Sequence, residues 1–144
     1  MAYNALEVAR YIICHEAMNG RTVSNLRLQK LLYFVQAQFV ANTSNGAPCF
    51  NQRMEAWDFG PVVPDVYRAY KYYGSAVIPF DGNCSTSIAI ADRQLIDSML
   101  DHCAQFSTSA LVEITHSQSP WRNAYQSFNH EISPDAIRSY FKGA

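Results

Sequence analysis

The sequence predicts a mainly α, single-domain helical bundle of about six or seven helices, with a small β-hairpin between helices two and three. Three observations carry that expectation. Apolar residues return every three or four positions in one segment after another, serines mark helix starts at Ser24, Ser107 and Ser133, and the best extended segment, Phe50 to Phe59, stops at Gly60-Pro61. A chain of 144 residues suits one domain over 1–144, and 49% hydrophobic residues against 16% charged ones exclude a disordered polymer.

Leu6, Ala9, Ile12 and Ile13 share one face of a first helix over residues 4–18, which Gly20 ends. Ser24 is placed to cap the second helix, flanked by Val23 and Leu28 as a hydrophobic staple. Leu28, Leu31, Leu32, Val35 and Phe39 then keep helical spacing, which puts this helix deep in the core. Asn42 to Pro48 is loop chemistry and leads into the hairpin segment.

Gly60-Pro61 turns the chain, and Pro61 to Tyr73 reads as helix three. Val62, Val66, Tyr70 and Tyr73 fall on one side of it, Tyr67 and Lys71 on another, and Gly74 closes it. Ser75 to Ala91 reads mostly as loop, with room for one short strand. Asp92 to Gln105 carries Leu95, Met99 and Cys103 at helical spacing, and Ser107 opens a short fifth helix that ends near His116. Trp121 to Phe128 adds a turn or two. The last helix has the fullest start signal: Ser133 as cap, Pro134 at the first helical position, Asp135 at the positive end of the dipole, and Ile132 with Ile137 as staple. It runs to Phe141 or Lys142, where Gly143 closes it.

The formal charge of -1, from 11 basic and 12 acidic side chains, supplies no global field for nucleic acid or acidic lipid. Cys14, Cys49, Cys84 and Cys103 stand singly, without the paired spacing of a zinc site. No basic region with an apolar run opens the chain, and no 18 apolar residues run together, so the expectation is a cytoplasmic protein with reduced thiols and no membrane contact. Cys14 and Cys103 are expected as small core residues on helices.

Glu113 and His116 lie three apart on a helix, the spacing that offers one metal a carboxylate and an imidazole. One pair cannot fill a coordination sphere, and adjacent His15 and Glu16 diverge, so His116 reads as a helix-end histidine and neither metal nor cofactor is expected. His102 and Cys103 likewise diverge. The chain has no G-x-S-x-G, no Gly-rich phosphate loop and no H-E-x-x-H, and no enzymatic activity is expected. Tyr67, Tyr70, Tyr72 and Tyr73 with Arg68 and Lys71 suit either base stacking or a protein-binding hot spot. The near-neutral charge favours protein contact over nucleic acid.

Two phrases go further: Leu28-Gln29-Lys30-Leu31-Leu32-Tyr33-Phe34 and Glu55-Ala56-Trp57-Asp58-Phe59-Gly60-Pro61-Val62-Val63-Pro64, continued by Tyr70, Lys71, Tyr73 and Gly74 and later by Thr115-His116 and Pro120-Trp121. Together they resemble the Panacea antitoxin domain, the SocA-like or GepA-like phage-associated family. The resemblance implies an antitoxin of a two-gene toxin-antitoxin module that binds a toxin encoded beside it. It also allows an adaptor that delivers the toxin to a AAA+ protease, or an interaction module of a phage or mobile element. Gln52, Cys49, Met54 and Ser117-Gln118-Ser119 depart from the family pattern. The partner-binding residues expected are Trp57, Asp58, Gly60, Pro61, Val62, Tyr67 and Lys71, where a rigid Gly-Pro corner would present aromatic and charged groups with little entropic cost. The competing reading is that Trp57 and the corner only anchor the hairpin.

Overall fold

In the computed structural model, which describes residues 2–142, the chain is organised around one helix. That helix is α2 (Asn25–Asn42), and residues 28–37 of it are all buried. Around it lie α1 (Ala5–Met18), α3 (Pro64–Tyr70) with a 3-10 turn at Lys71–Tyr73, α4 (Ile90–Cys103), α5 (Thr108–His116) and α7 (Pro134–Phe141). The short α6 (Ser119–Tyr125) packs on β1 (Met54–Trp57) and β3 (Glu131–Ile132), while β2 (Gly60–Val62) lies against α2. Ile12, Leu28, Leu31, Leu32, Val35, Phe50, Ile96, Leu100, Leu111 and Ile137 meet in one core.

The predicted serine caps are all present. Ser24, Ser107 and Ser133 accept from the N–H groups of Arg27, Ala110 and Ala136, each satisfying a donor that the first helical turn leaves free. Asn4 does the same for Leu6 at the start of α1. Gln52, one of the departures from the family pattern, accepts from the Ala5 N–H at 2.8 Å and ties that helix end to the hairpin approach.

Four expectations need correction. Helix three begins at Pro64, not Pro61, because Gly60–Val62 pairs antiparallel with β1 and Pro64 supplies the helix-compatible first position. The hairpin gains a third strand: β3 pairs with the far side of β1, giving the order β2-β1-β3. Two residues before a helix cap are too few to show a period of two. The segment 75–89 forms no strand, only an isolated bridge between Ser24 and Val77, and α4 starts at Ile90. Similarly, α6 occupies Ser119–Tyr125 instead of Trp121 to Phe128. Gly143, the expected stop of α7, lies outside the described residues.

The thiol expectation is corrected as well. Cys14 is buried on α1 as expected, but it forms a disulfide with Cys84, with Cα atoms 5.5 Å apart and 70 positions between them in sequence. Sequence spacing is silent on pairs that only folding brings together. Cys49 and Cys103 are free and buried. Among the described residues no helix is long and apolar enough to cross a membrane.

Candidate functional site

Antiparallel pairing of Trp57 with Gly60 leaves Asp58 and Phe59 as a two-residue hairpin loop. Gly60 takes φ +106, and a Cβ there would lie 2.9 Å from Thr115 Oγ1 and 3.1 Å from Lys30 Nζ, so both conformation and space demand glycine. Ala56 donates its N–H across to the His130 carbonyl on the β3 side. Its opposite number, Pro61, therefore directs its own backbone polar groups away from β1, where the missing proline N–H costs no ladder bond.

The outer edge of β2 is closed by α2. Lys30 is fully buried and its Nζ donates to the Pro61 carbonyl at 2.6 Å. Gln29 Oε1 accepts from the Val63 N–H at 2.9 Å, while its amide donates to Asn25, whose own amide donates to the Tyr67 carbonyl. Two turns further along, Gln36 accepts from the N–H groups of Cys49 and Phe50 and donates to the Phe50 carbonyl. Burial pulls the Lys30 amine down to about 7, its hydrogen bond going to an uncharged carbonyl.

The other side of the loop is clamped by α5 and α6. Trp121 Nε1 donates to the Trp57 carbonyl at 2.8 Å, and His116 Nε2 donates to the Asp58 carbonyl at 3.0 Å. The rings of His116, Trp121 and Tyr125 form a column with centroid spacings of 4.2 and 4.6 Å. Tyr125 hydroxyl donates to Asp58 Oδ1, and that bond to a carboxylate pushes the phenol above its usual range. The helix-end reading of His116 thus gains a specific task. Glu113 is exposed on the same helix, and among the described residues no three His, Cys, Asp or Glu side chains gather to hold a metal ion.

Held from both sides, the hairpin borders a groove of about 810 Å³. Trp57, Asp58, Val62 and Tyr67 line it, with Leu26 and Phe59. Trp57 meets Tyr67 edge to face at 5.0 Å and donates its indole N–H to Glu55, and that bond, followed by Arg53, lowers the Glu55 carboxyl. Phe59 stands 67% exposed at the loop tip, an apolar ring on a fixed backbone. Gly60 and Pro61 lie buried behind the groove and shape it, whereas Lys71 is exposed in the 3-10 turn and outside the lining. Of the tyrosine cluster, only Tyr67 reaches the groove. Tyr70 and Tyr73 pack on the core, and Tyr72 is 92% exposed elsewhere.

Sequence reasoning did not single out Phe59 or Tyr125, nor the polar seam of Gln29, Lys30 and Gln36. For the seam a signal existed. A helix apolar on nearly every face must be buried, so each polar residue on it needs a partner.

Residues 28–122 match the family described as "Antitoxin SocA-like, Panacea domain". The chain is 35% identical over 130 residues to the antitoxin SocA of Caulobacter vibrioides (strain NA1000 / CB15N), an alignment covering 82% of this chain and 68% of that relative. No solved structure matches the chain.

Proposed function

The chain belongs to the SocA-like Panacea antitoxin family, and on that premise we propose that it neutralises a toxin encoded beside it by direct binding, without catalysis, at the groove beside the Asp58-Phe59 loop. One observation carries the choice of surface. Phe59 is a large exposed apolar side chain on a loop whose Asp58 carbonyl is held by His116, whose preceding Trp57 carbonyl is held by Trp121, and whose following strand is held by Lys30 and Gln29. An aromatic anchor beside a preformed apolar groove, with its backbone already fixed, is the arrangement that binding hot spots favour. Trp57, Asp58, Val62 and Tyr67 supply the walls and rim, Gly60 and Pro61 the shape, and Lys71 a contact beyond the groove. The proposed site of action is the cytoplasm.

Co-expression with the adjacent gene tests the reading. Growth rescue together with co-purification of the neighbouring product supports it, and a neighbour that is harmless alone and never co-purifies sinks it. Toxin levels that stay constant in protease-competent and protease-deficient cells mark blocking by binding. A toxin that disappears only when both this protein and the protease are present marks delivery to a AAA+ protease instead.

A further inference from the structure

The segment between Gly74 and α4 is fastened at its two ends. At the first, Ile78 is buried and donates its N–H to the Val23 carbonyl at 2.8 Å. At the second, Ile88 is buried, and Glu7 accepts from the Ser87 N–H at 2.8 Å and from the hydroxyls of Ser87 and Thr86. Those bonds hold the Glu7 carboxyl below its usual range. Between the anchors, residues 79–85 are exposed except for half-buried Phe80. Their hydrogen bonds, among the described residues, are internal: Asn83 N–H to Asp81 Oδ1 and Ser85 N–H to Asn83 Oδ1.

A cleft of about 310 Å³ separates this stretch from Arg10, Ile13, Tyr70 and Tyr73. Within the stretch only Phe80 packs on the core, and the covalent tie to the body is the bond from Cys84 to Cys14, whose 5.5 Å Cα separation suits a disulfide. Cys84 is exposed, whereas Cys14 is buried on α1. The two remaining cysteines are poor competitors for exchange, being buried, with thiols that burial pushes up, to about 12 for Cys103.

We propose that Cys14–Cys84 is a redox latch: oxidised, it holds residues 79–85 over the cleft, and reduced, it frees them, uncovering Ile13 and the two tyrosines and offering a cleavable segment to proteases. The inference stands apart from the antitoxin reading. Opening needs a small thiol of the glutathione class. Its thiolate attacks the exposed Cys84 sulfur, the S–S bond breaks, and the electron pair leaves on the Cys14 sulfur, which takes up a proton. A second thiolate attacks the small-molecule sulfur of the mixed disulfide and releases Cys84, which is protonated in turn. Two small thiols become one small disulfide while the protein disulfide becomes two thiols, and oxidised glutathione closes the latch by the reverse steps.

Limited digestion with chymotrypsin, followed by mass through the cut after Phe80, tests the latch on the full chain. After treatment with oxidised glutathione, denaturation and alkylation, two thiols are expected to react, and after dithiothreitol all four. Cleavage after Phe80 is expected to be about ten-fold faster in the reduced protein, because local opening sets the rate. Cys84→Ser, at an exposed position that leaves the core intact, is expected to cut at the fast rate with or without dithiothreitol, while Cys103→Ser keeps the redox dependence. Four reactive thiols after oxidation, equal cutting in both states of the wild type, or a Cys84→Ser variant that still responds to dithiothreitol would each overturn the proposal.

Discussion

Two neighbouring parts of this protein place side chains against type. In α2, the polar groups of Gln29, Lys30 and Gln36 are buried; at the hairpin, Phe59 is exposed and Trp57 and Tyr67 are only half-buried. The buried polar groups end on backbone: Pro61, Val63, Cys49 and Phe50 all take their hydrogen bonds from this one helix. The exposed rings end on a groove. Polar atoms inside the core therefore fix the corner, and the aromatic surface outside it is left for a partner.

The two parts can be separated by substitution, and the largest effect falls on the buried side. Lys30 titrates near 7 in the folded chain and near 10.4 when unfolded, so between those values the unfolded state binds more protons and stability rises with pH. Denaturant melts from pH 7 to 10 should show wild type gaining on the order of 4 kcal/mol relative to Lys30→Met, while the buried thiols of Cys49 and Cys103, which burial pushes up, lower the stability of both proteins alike above about pH 8.5. Tyr33, whose hydroxyl burial pushes up, opposes the trend only above about pH 10. Gln36→Ala strands two N–H groups and one carbonyl in the core and is expected to lower stability by about 3 kcal/mol in chemical denaturation.

Gly60→Ala combines a positive φ with contacts to Thr115 and Lys30 and should lose about 2 kcal/mol, with partner affinity falling because the loop moves. On the exposed side the ranking reverses. Phe59→Ala should change stability by less than about 0.5 kcal/mol yet weaken partner binding about 100-fold in calorimetry.

Much of the helical frame was legible because caps and staples are local. Ser24, Ser107 and Ser133 announce their helices by chemistry completed within three residues. The hairpin was legible in part: Gly60-Pro61 marks a corner, but whether Pro61 lies in a strand or opens a helix depends on Ala56 directing its N–H toward His130, about seventy residues away. The same limit hides β3 and the Cys14–Cys84 bond, each assembled from segments whose proximity exists only in the fold, whereas the stack of Trp121 on Tyr125, four apart on α6, lay within reach of the sequence. The apolar spacing from Leu28 to Phe39 predicts burial of this helix in the core. Gln29 and Lys30 connect that burial to the candidate site through Val63 and Pro61.

The groove itself is tested most directly by comparing two exposed aromatic residues. Phe59 and Tyr72 are 67% and 92% exposed, but only Phe59 borders the groove. Titrating the purified product of the adjacent gene into Phe59→Ala and Tyr72→Ala, with thermal melts of each, should give unchanged stability in both variants and lost affinity in Phe59→Ala alone. Full affinity in Phe59→Ala with loss in Tyr72→Ala would contradict the account and move the binding surface to the far end of α3.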